Sequence, residues 1–387
     1  RPTWTQVTQD GINIQDGFTR TNALNYSPNR PTSNTVGEFT VSTALPGADT
    51  FGGASAVRLV TPSGTNRFRG ETFGFNENRV RAVNSFFNKR EGLPTPTFSS
   101  RQLGGALGGP IVKDHLFFYG YYESSRRASE INQDVVIPAH DDLFQGVFRF
   151  VGPDGQVRSA NVLHLSGLAL DRVVQRDVVA RVPSSSLVNN FAVGNSTRAR
   201  PLNTAGYDFL QTDRNRRDRV GLRIDVAPGP RHRFEANYAR FTETDDRTDL
   251  DAVHAQPVIY TESTVQRFVG AWRVSGSSAT NDVRVGGNLV PLDFRSRETY
   301  GPTMLGVTVV TNPVVSFEPQ GRTTRTMQFT DSGSWRHSAH DLQFGGSLQQ
   351  TRVYSYDYGG AIPSVAFGFS ASAPSLWRRS RPGSASR

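Results

Sequence analysis

The sequence predicts an all-β fold, a partial transmembrane antiparallel β-barrel of about nine strands. Three observations predict it. The chain is polar yet rich in aromatic residues and glycine: hydrophobic residues make up 36% of it, below the roughly 45–50% typical of globular chains, while 25 Phe and 11 Tyr are present. Extended segments alternate apolar and polar side chains, one dry face against one wet face. The links between those segments alternate short and long, as in barrels with tight turns on one side of a bilayer and longer loops on the other.

From the N-terminus, residues 24–66 are low in charge, rich in Gly, Thr, Ser and Asn, and free of helical periodicity. Glu38–Thr43 and Ala56–Thr61 read there as short strands. Beyond them, strands are expected at 66–77, 101–109, 115–128, 218–227, 232–245, 263–275, 281–295, 323–336 and 341–356. The clearest has Val220, Leu222, Ile224 and Val226 on one face and Arg219, Gly221, Arg223 and Asp225 on the other. Phe234, Ala236 and Tyr238 alternate with Glu235 and Asn237, and Leu342, Phe344 and Leu348 with Gln343, Ser347 and Gln349. Short links are expected at Pro110–Asp114, Ala227–Arg231, Gly276–Thr280 and His337–His340, and long external ones at 78–100, 129–217, 246–262 and 296–322. Within 129–217, Leu170, Val173, Val174, Val178 and Val182 have partial helical spacing, so one short surface helix is expected over Leu168–Val182, ended by Pro183.

Glycine-rich Gly104–Gly109 is followed by Pro110-Ile111-Val112-Lys113, which is neither a Walker nor a Rossmann continuation, so crowding relief in a strand is the expected role. His337 and His340 stand at H-x-x-H spacing but in a predicted turn, where solvated histidines are expected. Asp245, Asp246, Asp249 and Asp251 lack the ligand spacing and turn glycine of an EF-hand. There is no cysteine and no Gly-x-Ser-x-Gly elbow. No catalytic, cofactor-binding or metal-ligating residue is assigned, ligand contacts are left unassigned, and the chain is expected not to be an enzyme. Its net charge of +9 is scattered rather than gathered in one run, which argues against nucleic acid as a partner. Arg81, Arg90, Arg126, Arg127 and Arg214–Arg219 fall in or near the expected external loops, as solvated charge or as contacts to anionic ligands and lipopolysaccharide phosphates. Phe86, Phe87 and Phe98 sit in the first of those loops.

Several segments together resemble a known family. Gln9–Asp16 is similar to the D-G-x-N-x-x-D strand of a TonB-dependent receptor plug, and Gly53–Asn66 to its last strands. Arg67–Phe87 and Leu103–Arg127 resemble the first barrel strands of the Oar-like subgroup, in which a carboxypeptidase-regulatory-like module precedes the plug. Ser334–Leu348 is similar to a later hairpin of that subgroup, with Arg336 and Ser338 where Lys or Gly is common.

The resemblance implies an outer-membrane receptor performing ligand-gated, energy-coupled uptake of an unidentified solute. Outer-membrane lipid, lipopolysaccharide and a TonB complex would be its partners. It divides the chain into the C-terminal part of a plug domain (1–66), early barrel strands with long external loops (67–373) and a non-barrel basic tail (374–387). Family barrels have about 22 strands, and family members carry a signal peptide, a TonB-binding segment and an aromatic C-terminus that are not seen here. The chain is therefore expected to be a truncated or frame-shifted piece, with late plug and early barrel, unable to work as a transporter alone. The alternatives are an outer-membrane adhesin, a passive porin-like barrel, or a secreted β-rich carbohydrate-binding module.

Overall fold

The computed structural model describes residues 5–15, 20–21, 24–25, 31–43, 55–78, 84–139, 147–161, 196, 202–251, 254–298, 304–307, 317–361 and 364–367. Strands β1 (Thr5–Gln9), β2 (Ile12–Asn13), β3 (Arg20–Thr21), β4 (Leu24–Asn25), β5 (Glu38–Ser42) and β6 (Ser55–Val60) come first. They are followed by β7 (Arg69–Asn78), a one-turn helix α1 (Phe86–Arg90), β8 (Phe98–Val112) and β9 (Leu116–Pro138). A small hairpin of β10 (Val147–Val151) and β11 (Val157–Asn161) precedes β12 (Thr204–Gly229), β13 (His232–Asp246), β14 (Ile259–Ser275) and β15 (Ala279–Ser296). The chain then forms β16 (Met304–Val307), β17 (Gln320–His337), β18 (His340–Asp357) and β19 (Ser364–Phe367). No helix among the described residues is long and apolar enough to cross a membrane.

Nine strands form one antiparallel sheet in the order β18-β17-β15-β14-β13-β12-β9-β8-β7, each beside its sequence neighbour in the set. The sheet is not closed, and β7 and β18 are its two edges. The first residues form a separate sheet, β2-β1-β6-β5, in which β1 and β6 run parallel.

The large sheet is partitioned inside out. On its outward face lie exposed Leu222, Tyr238, Phe268, Val285, Phe329, Phe344 and Leu348. Its inward face buries Arg219, Arg223, Asn237, Arg267, Asn288, Thr326 and Gln328. Strand register aligns these into continuous rows: Phe118, Ile224, Ala236, Gly270, Val285, Phe329 and Leu348 are direct partners across seven strands. A water-soluble sheet would bury that row. Leaving it outward costs on the order of 25 cal/mol per Å² in water and nothing in lipid. At the short-turn end, Phe234 stacks on Trp272 at 6.2 Å and Trp335 lies 5.3 Å from the His337 ring, the aromatic rim expected at a bilayer interface.

Several expectations are corrected at the boundaries. The two ends of the segment 129–217 are strand, not loop, because β9 continues to Pro138 and pairs with β12 from Thr204 onward. In that extension the polarity reverses: Val135 and Ile137 are buried, with Tyr207 and Phe209 packed against them. The flip marks where the two strands leave lipid, and it breaks the period-two pattern by which a strand is recognised. The turn expected at Pro110–Asp114 lies later. Pro110 is within β8 at a register shift, and Asp114 turns the chain with φ of 66°. Ala227–Gly229 remain strand, which leaves a two-residue link to β13. The first external connection contains α1, capped by the Ser85 hydroxyl accepting from the Asn88 N–H. The helix expected over Leu168–Val182 and the basic tail 374–387 lie outside the described residues.

Candidate functional site: a polar seam between the small sheet and the wall

Sequence chemistry places the seam at a hairpin tip. Asp10-Gly11 separates β1 from β2, and both residues have positive φ (53° and 81°), the two-residue turn that Asp-Gly favours. The turn thrusts the Asp10 carboxylate into the inward face of the large sheet, where Asp10 is only 2% exposed. Its Oδ2 accepts from Asn237 Nδ2 (2.8 Å), Arg267 Nη1 (3.0 Å) and the Thr61 hydroxyl (2.8 Å), and its Oδ1 accepts from the Thr61 N–H (2.7 Å). Arg284 Nη1 donates to the Asp10 carbonyl at 2.9 Å.

The rest of the seam is equally polar. Arg223 donates to the Thr61 carbonyl at 2.6 Å and is held from behind by both oxygens of Asp225 and by Glu235 at 3.2 Å. Asn288 donates to the Asn13 carbonyl at 2.5 Å, and the Asn13 N–H donates to Gln328 at 2.9 Å. The Tyr119 hydroxyl donates to the Asn34 carbonyl at 2.9 Å. Asn13 also reaches Gln349, so strands β9, β12, β13, β14, β15, β17 and β18 all contribute. One apolar contact stands among them: Ile12, wholly buried, lies where a side chain on Gly286 would approach it to 2.7 Å.

A cavity of about 510 Å³ lies between the two sheets on the short-turn side. Its wall carries many charged side chains, among them Arg58, Arg233, Arg284, Glu38 and Asp282.

The residues weighed from sequence disperse. Gly104 and Gly109 sit in β8, where added side chains would meet the rings of Phe73 and Phe68 at 2.5 and 2.3 Å, so they do relieve crowding. His337 and His340 face each other across the last turn. The four aspartates do not converge: Asp245 accepts from Asn215, Asp246 pairs with Arg297, Asp249 with Arg247, and Asp251 with His254. Arg217 and Arg219 point inward to Glu243 and Glu123, while Arg216 is exposed outward. Arg126 and Arg127 pair with Asp218 and Asp213, Arg90 stands over Phe87, and Arg81 lies outside the described residues. Phe86 and Phe87 are exposed and touch edge to face. Sequence reasoning did not single out Arg267, Asn237 or Arg284; the only signal for them was a polar residue on the wet face of a strand.

Comparison with known proteins agrees with this geometry. A family model described as an outer membrane beta barrel domain matches residues 60–377. No curated protein matches. Among solved structures, the chain resembles the outer membrane transporter YddB from Escherichia coli, with 10% identity, a TM-score of 0.51, and coverage of 91% of this chain and 40% of that one. It also aligns with the siderophore receptor PirA from Acinetobacter baumannii (11% identity, TM-score 0.47, coverage 90% and 40%). A third alignment is with a mutant ferric enterobactin receptor, PfeA, from Pseudomonas aeruginosa (11% identity, TM-score 0.48, coverage 90% and 41%). The fold likeness rests on the first. The chain spans about 40% of the length of these structures.

Proposed function

The chain belongs to the outer membrane beta barrel domain family, and from that premise we propose that it forms the stopper and early wall of a TonB-dependent receptor of the Oar-like kind. The small sheet is the plug, and the whole protein imports a scarce solute without catalysing a reaction.

The observation that carries this reading is the chemistry of the seam. A permanent part of the wall would be joined through an apolar core. Here the joint is almost all hydrogen bonds and ion pairs, which water can replace, so the small sheet can leave while the wall stays intact. A passive porin or adhesin has no use for such a joint. A secreted module would carry its apolar residues inward, the reverse of what Leu222, Phe329 and Leu348 do.

Partners follow from the same reading. Outer-membrane lipid faces the apolar rows, the solute enters from the long connections, and TonB acts on the plug from the short-turn side. The test is uptake of a panel of ferric siderophores, cobalamin and glycans by cells carrying the full-length gene product, with and without a working TonB. Uptake of one class that stops without TonB supports the proposal; uptake indifferent to TonB overturns it.

A further inference from the structure

We propose that Arg101, Arg126 and Arg216 form a binding site for a phosphate-bearing lipid headgroup of the outer leaflet. The inference rests on the outer-membrane reading and adds a defined ligand site to it.

Arg101 pairs directly with Arg126 across β8 and β9, and Arg126 pairs directly with Arg216 across β9 and β12. The three guanidinium groups therefore stand side by side on one face of three adjacent strands. Like charges placed directly opposite each other destabilise a sheet. All three residues are exposed, and the face is the outward one, since Val220 and Leu222 on the same side of β12 are 44% and 48% exposed.

The charge is not cancelled among the described residues. Asp218 accepts two hydrogen bonds from Arg126, at 3.0 and 2.7 Å. Among the described residues, Arg101 and Arg216 have no carboxylate within ion-pairing distance. Three cations thus face one anion, and the arrangement is complementary to a dianionic phosphate, which takes up paired guanidinium donors well.

Depth identifies the source of that phosphate. The outward apolar rows begin near Leu116 and Val226, beside the short turns, and these two residues pair directly. From there to Arg126 or Arg216 is about ten residues, roughly 33 Å of strand. A tilt of about 40° brings this to about 25 Å along the membrane normal, the height of an outer-membrane apolar band. The arginines therefore stand at the level where lipid headgroups begin on the long-connection side. Four residues along the strands toward the short turns, exposed Arg240, Arg325 and Arg352 stand on the same outward face, Arg240 opposite Val220 and Arg325 opposite Arg352.

The experiment uses the full-length gene product in detergent micelles and measures binding of diphosphoryl lipid A, its dephosphorylated form, and inorganic phosphate. A double variant, R101Q with R216Q, removes the two unpaired cations and leaves the Arg126–Asp218 pair in place. Membrane insertion of both proteins is checked separately by protease protection in vesicles, which tests the outer-membrane reading alone. The inference predicts that the inserted wild-type protein binds diphosphoryl lipid A, that dephosphorylation weakens binding, and that the double variant binds at least about ten-fold more weakly with unchanged insertion. Equal binding of the dephosphorylated lipid, equal binding by the variant, or displacement by inorganic phosphate at matching affinity would each overturn it.

Discussion

The Asp10 carboxylate lies 3.0 Å from the guanidinium of Arg267, although 257 residues separate them, and both side chains are nearly inaccessible to solvent. The pair joins the tip of the first hairpin to the middle of the wall. Removing one partner of a buried pair leaves the other charge without compensation, a loss of about 3–5 kcal/mol.

Asp10→Ala should therefore undock the small sheet while leaving the wall formed. Hydrogen exchange is the readout: protection of residues 5–15 and 55–61 falls, while β12 to β15 keep theirs. If the wall strands lose protection in step, the seam is part of the wall's core.

At Gly286 the seam depends on size. Any side chain there meets Ile12 Cγ1 and the Phe268 carbonyl, both at 2.7 Å. Gly286→Val should weaken docking by about 1–3 kcal/mol, the usual cost of overpacking. Adding Ile12→Ala should recover part of the loss, because the backbone contact remains. Docking strength is read from exchange of the Ile12 region in the two variants.

The outward rows make an opposite demand. Leu222 is 48% exposed, so in a water-soluble sheet Leu222→Arg would be nearly neutral. Facing the bilayer midplane, it should destabilise by about 2–4 kcal/mol. Arginine at Thr248, in the connection after β13, should cost little by comparison. Unfolding of the inserted protein in lipid vesicles measures both.

The connection between β13 and β14 carries a pH dependence. Burial by itself lowers the pKa of His254, but its hydrogen bond and charge contact with Asp251 outweigh this, and the imidazole is held above its ordinary value. A raised folded pKa means the contribution is fully present below the unfolded value of about 6.5 and is lost as pH rises through the folded one. Exchange of residues 247–251 and 254–258 should be slower at pH 5.5 than at pH 8.5 after correction for intrinsic rates. Asp251→Asn should flatten the difference.

Much of the wall was legible in the sequence because lipid on one face and a polar lumen on the other impose a strict period of two. Strands expected at 281–295 and 341–356 are found at Ala279–Ser296 and His340–Asp357. Legibility ended where that environment ends. Tyr207, Phe209 and Val135 turn apolar groups inward above the membrane, so 204–217 and 129–138 read as loop although they are paired strand. The seam was not legible, since Asp10, Asn237 and Arg267 are brought together only by the pairing of distant strands. The parallel pairing of β1 with β6 was hidden for the same reason.

The chain has no cysteine, so single labels report position cleanly. Ser338→Cys lies in the last short turn and Thr248→Cys in a long connection. A membrane-impermeant maleimide should label Thr248→Cys on intact cells expressing the full-length product, and Ser338→Cys only once the outer membrane is breached. Equal labelling of both on intact cells would place the turns and the connections on one side, and no barrel wall of this kind could then exist.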